Sequence, residues 1–214
     1  TCLSFLTAFH TASSLIESKQ YKKILIVSSD RGSIGRNFNE PESASLLGDA
    51  AAAVILEPSI NSQVMSYKME TWSEGAEFTQ VKGGGTYRHP DNPKTIDNDH
   101  YFTMSGPNVY KMARKKVYFM IQKTLKANNL TINDIDFVIP HQASNTAIQA
   151  YSKFGGFPDD KVMNIIADYG NCVSASIPLA LSIAIKERKI KRGNIVLLIG
   201  TGAGLSVASS IIKF

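Results

Sequence analysis

Residues 174–214 read SASIPLALSIAIKERKIKRGNIVLLIGTGAGLSVASSIIKF. The opening part is a nearly all-apolar helix, with Pro178 tolerable only in its first turn. GNIVLLIG follows as a strand, TGAG as a turn and LSVASSIIKF as a closing strand. The same order stands at the other end of the chain. Leu3, Leu6, Phe9, Ala12 and Leu15 recur every third residue, with Phe5 and Ile16 beside them, which is the stripe of a buried helix. KKILIVSSD (22–30) then reads as a strand apolar on both faces, as in an internal parallel sheet. RGSIGRNFNEPES (31–43) is rich in turn residues, and GDAAAAVILEP (48–58) is a second strand stopped by Pro58.

Helix, strand, connection, strand therefore occurs twice without periodic identity, as though one half-fold were used twice. The fold class is α/β, with duplicated half-units, buried helices and mixed sheets. Residues 1–58 form the end of the first half-unit, and 106–214 form the second. Between them, 59–105 is Gly-, Pro- and Asp-rich without steady periodicity, and reads as a surface excursion with short strands at most. In the second half-unit, Val109, Ala113, Val117, Met120, Ile121 and Leu125 mark a helix. DIDFVIP (134–140) is a strand, SNTAIQAYSKFGG (144–156) a helix stopped by glycines, and KVMNII (161–166) a short strand. The first copy holds only one helix and two strands. The expectation is a truncated first half-unit, with an N-terminal segment of the same protein lying outside this sequence and the fragment not folding alone.

The 214 residues are 43% hydrophobic and 19% charged, which suits a packed core and excludes a disordered chain. No run of about 18 apolar residues is present, so no membrane span is expected, and no signal peptide is visible. Cys2 and Cys172 provide no disulfide framework, which points to a reducing, cytoplasmic setting. The net charge of +5 is modest. The basic clusters KMARKK (111–116) and KERKIKR (186–192) lie on helical patterns without interleaved aromatics. They read as solvated helix faces, and no nucleic acid is expected.

Four stretches could carry chemistry. Cys2 heads the first helix, where free backbone N–H groups and the helix dipole would lower a thiol pKa; the plainer alternative is a small buried apolar residue. His141, in VIPHQASN, stands where an apolar strand gives way to a helix, the edge at which α/β proteins place their sites. Asn171, in DYGNCVSASIP, is either a turn residue or an amide donor to a carbonyl oxygen gaining charge. GTGAG (200–204) lacks the lysine and following helix of a phosphate loop. It is either a plain turn or a source of one backbone N–H for an oxyanion hole, with the Cys2 N–H as the other.

Cys2 ahead of its helix, GDAAAAVIL, PHQAS, GN before SASIP, and the terminal GTGAGLSVASSIIKF together resemble the β-ketoacyl-acyl carrier protein synthase III family of thiolase-fold condensing enzymes. The resemblance spans essentially the whole chain; each motif is weak and the ordered set is specific. Family chains continue for about a hundred residues ahead of this cysteine. The resemblance implies an acyltransferase of fatty acid or related biosynthesis. Cys2 takes an acyl group from acyl-CoA, and His141 and Asn171 stabilise the enolate formed when malonyl-acyl carrier protein loses CO₂. The Cys2 and Ala203 N–H groups form the oxyanion hole. It implies a homodimer, no cofactor and no metal.

Three departures stand out. Pro41 falls near the place of an arginine that helps bind CoA. Ser144 and Thr146 replace Asn and an Arg that helps carrier-protein docking, and Thr201 stands where a bulky Phe is common. These leave open whether CoA or a carrier protein delivers the donor, and whether the chain is a specialised paralogue in secondary-metabolite synthesis. Two other readings compete: a hydrolase using Thr1 as an N-terminal nucleophile, and an inactive partner subunit or binding module that keeps the fold.

Overall fold

The computed structural model describes residues 1–214. In chain order the helices are α1 (Ser4–Glu17), α2 (Pro41–Ala44), α3 (Gly106–Ala127), α4 (Asn145–Lys153), α5 (Ile166–Tyr169) and α6 (Ser176–Lys186). The strands are β1 (Ile24–Arg31), β2 (Asp49–Leu56), β3 (Gln63–Thr71), β4 (Thr79–Gln80), β5 (Thr103–Met104), β6 (Phe137–Pro140), β7 (Ile195–Gly202) and β8 (Ser206–Lys213).

A four-stranded mixed sheet runs β3–β8–β7–β6, with β6 and β7 parallel and the other pairs antiparallel. Side chains alternate across β7, and both faces are buried. Val196 and Leu198 join Phe5, Leu6 and Phe9 of α1 and Ile177, Ala180 and Leu181 of α6. Leu197 and Ile199 face the other way, against Ile121 and Leu125 of α3 and Ile148 and Tyr151 of α4. On the far side of α1 and α6 lies the ribbon β1–β2, which contributes Ile26 to the same core, with Ile24, Val54 and Leu56 packed against it. The layers are thus ribbon, helix pair, sheet, helix pair. α6, buried between two β layers, is apolar nearly all round. α1 buries one side only, with Phe5, Leu6, Phe9 and Ala12 inward and Ser4, Thr7, His10, Thr11 and Ser14 exposed, so the expected fully buried helix is amphipathic.

Three local expectations change. β1 is not in a parallel sheet: it pairs with β2 alone, antiparallel, with Ile24 opposite Leu56. Its outer face, including Leu25 and Val27, is exposed. Apolar residues on both faces report what a strand can bury, not its partner's direction. Residues 59–105 include the nine-residue β3 on the edge of the main sheet, bulged between Val64 and Ser66. Its pattern was masked by Ser66, Tyr67 and Lys68, polar groups suited to an edge. KVMNII forms one parallel bridge, Val138 to Val162, and then the start of α5, not a strand.

Candidate active site

Every sequence-identified group lies at a junction. Cys2 sits in the turn ahead of α1, where the Ser4 N–H donates to the Thr1 carbonyl at 2.8 Å. Leu3, the next residue, is buried. His141 follows the last residue of β6, and its N–H extends the ladder to the Ile199 carbonyl at 2.8 Å. Asn171 is tied by its backbone to the loop ahead of β2. Its N–H donates to Leu46 at 2.7 Å, and its carbonyl accepts from Gly48 at 2.9 Å.

Gly200 shows how these segments meet. A Cβ placed there would lie 2.8 Å from His141 Cβ, 3.2 Å from Leu3 Cδ2 and 3.3 Å from Ile177 Cδ1. The residue after the cysteine, the histidine and the first turn of the helix that follows the asparagine thus converge on one bare backbone position. At Gly202 a Cβ would lie 3.2 Å from Leu3 Cγ, so the end of β7 runs directly over the head of α1. Ala203 is exposed in the turn between β7 and β8. Neither its N–H nor that of Cys2 donates to another oxygen in the chain. No hydrogen bond joins Cys2, His141 and Asn171 to one another.

The electrostatics correct one expectation. The Cys2 thiol is not lowered by its place at a helix head. Desolvation pushes it above the ordinary value, and this outweighs the hydrogen bond from Thr1, whose Oγ1 lies 3.8 Å from the sulfur. The buried environment that accepts an apolar first turn also penalises a thiolate. His141 is 4% exposed, and desolvation lowers its pKa to about 4, partly opposed by the negative charge of Asp30. The imidazole is therefore neutral at ordinary pH, and its Nδ1 is buried without a partner.

The amide of Asn171 is held in one orientation. Its Oδ1 accepts from the Val173 N–H at 3.0 Å, which leaves Nδ2 as the free donor. Two backbone features shape this turn. Gly170 has φ +68°, and Val173 sits at φ +49°, a conformation costly for a β-branched residue. The turn is anchored by Asp30, which sequence reasoning passed over. Asp30 Oδ2 accepts from the Ser174 N–H at 3.0 Å, the Ala175 N–H at 3.2 Å and the Ser174 hydroxyl. The signal was there: an acid closing an apolar strand, in SSD, stands at a strand end where loops and helix N-termini gather.

Two of the departures have local explanations. Ser144 is the N-cap of α4 and its Oγ accepts from the Ala147 N–H at 3.2 Å, a role serine fills as well as asparagine. Pro41 opens α2, where a missing N–H costs nothing. No group of three or more His, Cys, Asp and Glu side chains is arranged to hold a metal ion. No helix is long and apolar enough to cross a membrane.

Two family models match this chain. Residues 1–73 match 3-oxoacyl-[acyl-carrier-protein] synthase III, and residues 125–214 match the C-terminal part of the same enzyme. The chain belongs to the 3-oxoacyl-[acyl-carrier-protein] synthase III family. It is 36% identical over 217 residues to the β-ketoacyl-[acyl-carrier-protein] synthase III of Koribacter versatilis, covering 100% of this chain and 65% of the relative. To that of Wolbachia pipientis wMel it is 37% identical over 215 residues, with the same coverage. The crystal structure of the Aquifex aeolicus enzyme superposes with a TM-score of 0.87 at 28% identity, over 100% of this chain and 65% of that one. The Thermus thermophilus enzyme gives 0.88 at 28%, with the same coverage. The thiolase-like α/β fold expected from the motifs is thus shown. The chain spans 65% of the length of the curated relatives it matches.

Proposed function

We propose that the protein forms a carbon–carbon bond by decarboxylative Claisen condensation, joining an acyl group held on Cys2 to a malonyl group on acyl carrier protein. The observation that carries this reading is the meeting of Leu3, beside the cysteine, with His141 over Gly200. In the first half-reaction the Cys2 sulfur attacks an acyl thioester, acyl-CoA being the simplest donor. The tetrahedral oxyanion accepts from the free N–H groups of Cys2 and Ala203 and collapses with expulsion of the donor thiolate. A thiol raised by burial is a weaker acid but a stronger nucleophile once deprotonated.

In the second half-reaction the malonyl carbonyl accepts hydrogen bonds from His141 and Asn171 Nδ2. A neutral imidazole protonated on Nε2 is a donor, and it leaves on the partnerless Nδ1 a lone pair, not an N–H. As the bond to CO₂ breaks, its electrons pass into the enolate, and the enolate carbon bonds to the acyl carbon while the C–S bond breaks and the Cys2 thiolate leaves. Neutral donors placed in a desolvated pocket favour a charge that exists only in transit. A homodimer and cytoplasmic location accord with this reading.

The test is intact-mass analysis of the full gene product after incubation with acyl-CoA, followed by malonyl-acyl carrier protein. Acyl mass on Cys2, lost in Cys2→Ser and kept in His141→Ala, supports the division of roles. Condensation surviving in His141→Ala overturns the role of the histidine. Unmodified Cys2 under all acyl donors favours the inactive-subunit alternative.

A further inference from the structure

The helices α1 and α6 begin beside Cys2 and Asn171, and both finish at the opposite end of the molecule. They finish alike. After α1 the Lys19 N–H donates to the Ile16 carbonyl at 2.9 Å and the Gln20 N–H to the Leu15 carbonyl at 3.0 Å. After α6 the Arg188 N–H donates to Ile185 at 3.0 Å and the Lys189 N–H to Ala184 at 2.9 Å. Lys19 and Arg188 sit at φ +61° and +59°, where glycine is usual. Each turn then leads into its strand through two further basic residues, Lys22 and Lys23 before β1, Lys191 and Arg192 before β7. The half-fold that occurs twice thus presents a similar basic turn twice.

Strand pairing brings the two turns together. Ile24 lies opposite Leu56, and Lys213 lies opposite both Gln63 and Ile195. The start of β1, the β2–β3 turn, the start of β7 and the end of β8 therefore share one corner. Lys23 pairs with Glu57 at 3.0 Å, and Arg192 donates to Ser62 Oγ at 3.2 Å while stacking over the Phe214 ring at 4.4 Å. Residues 17–23, 57–63, 186–194 and 213–214 hold nine of the chain's 23 Lys and Arg but only three of its 18 Asp and Glu. Nine positive less three negative side chains give this corner +6, which leaves the rest of the +5 chain at −1. All nine basic side chains are exposed. The charge is one-sided: across the same end, around the start of β6, stand Asp134, Asp136, Asp159 and Asp160.

We propose that this corner docks the protein on an anionic membrane surface, with Cys2, His141 and Asn171 at the far end facing the aqueous phase. The docking does not depend on the reaction proposed above. Helix dipoles account for Lys19, Lys186 and Arg188, which lie within a turn of a helix C-terminus, but not for Lys22, Lys191 or Lys213, which lie beyond that reach. The second observation is apolar. Ile60, at the tip of the β2–β3 turn, is 100% exposed, Tyr21 beside Lys22 is 56% exposed, and Ile185 in the last turn of α6 is also open to solvent. Basic residues around single aliphatic and tyrosine side chains suit a headgroup layer, which takes charge at its surface and apolar groups just below it. A nucleic-acid surface would instead need a row of aromatics for bases, and only Tyr21 is there.

The test is co-sedimentation of the full gene product with vesicles of phosphatidylcholine, with and without about 30% phosphatidylglycerol. Partitioning should be at least about tenfold higher on the anionic vesicles at about 0.1 M salt, and most of that gain should vanish at about 0.5 M. The ammonium groups of Lys22, Lys186, Lys191 and Lys213 make no ion pair in the chain. Replacing all four by Gln should lower anionic-vesicle binding at least about tenfold. Replacing Lys82, Lys94, Lys111 and Lys115 by Gln removes the same charge elsewhere and should lower it less than about threefold. Ile60→Ser, which leaves the charge intact, should weaken binding about threefold or more. Equal partitioning on both kinds of vesicle, or none on either, overturns the proposal. So do equal losses in the two four-lysine variants, or binding of polyuridylate tighter than of anionic vesicles at the same salt. Vesicle binding and condensation are read separately, so either can fail without the other.

Discussion

Asp30 and Ser174 are joined twice, by the Ser174 N–H and by its hydroxyl, although they are 144 residues apart in sequence. This carboxylate holds the turn that carries Asn171 against the end of β1, and its charge also acts on Cys2 and His141. Asp30→Asn should therefore have two separable effects. Weakening charge-assisted hydrogen bonds should cost about 1.5–3 kcal/mol in denaturant unfolding. Removing the negative charge should lower the Cys2 pKa, because that charge now disfavours the thiolate. Alkylation of Cys2 at pH 8 should be faster in the variant even as its stability falls. Slower alkylation would show that the electrostatic link is misassigned.

The pH dependence of stability should carry the mark of His141. Its folded pKa is about 4, against an ordinary value of 6.5. Between those values the unfolded chain holds a proton that the native protein excludes, so stability rises with pH across this window. The contribution is complete above about pH 6.5 and is lost as pH falls towards 4, by an amount on the order of 3 kcal/mol. Urea midpoints from pH 7 to 4, compared between the native protein and His141→Ala, isolate it. The native protein should show the steeper decline; parallel curves would mean that the imidazole titrates normally.

Much of this arrangement was legible in the sequence because it depends on local pattern. The α1 stripe, the Gly-Asp entry to β2, the strand before His141 and the small-residue start of α6 each leave a mark within ten residues or so. What was hidden depends on distance in space. β3 looked irregular because an edge strand mixes faces. The direction of β1 pairing was invisible, because the same Ile and Val pattern serves either kind of sheet. The Cys2 pKa went the wrong way because a helix head is a sequence feature, whereas desolvation is set by what packs around it. Asp30 was missed because its partners lie at the far end of the chain.

Gly200 is required by the approach of Leu3 and His141, not by its own conformation, since its φ is not positive. A methyl group 2.8 Å from His141 Cβ forces one of the two segments to move. Gly200→Ala should cost about 1–3 kcal/mol, as overpacking in a dense core does. Its effect on condensation should exceed its effect on acylation, because His141 is the nearer neighbour. Equal losses in both half-reactions would point instead to displacement of Leu3.

The two cysteines offer a direct check on the environment of the proposed nucleophile, Cys2. Both thiols are raised by burial, but Cys172 is 1% exposed whereas Cys2 is partly open to solvent. Cys172 is also engaged with the Tyr169 carbonyl at 3.2 Å, which its S–H can donate to. Iodoacetamide should therefore label Cys2 first at every pH, and its rate should still be climbing above pH 8.5, where an unperturbed thiol is half ionised. A rate that levels off below pH 8 would mean that the helix head and its free N–H groups win over desolvation after all. The thiolate would then be present in the resting protein. In the profile expected here, by contrast, the thiol loses its proton only as the acyl donor arrives, and acylation by acyl-CoA should gain from rising pH in step with alkylation.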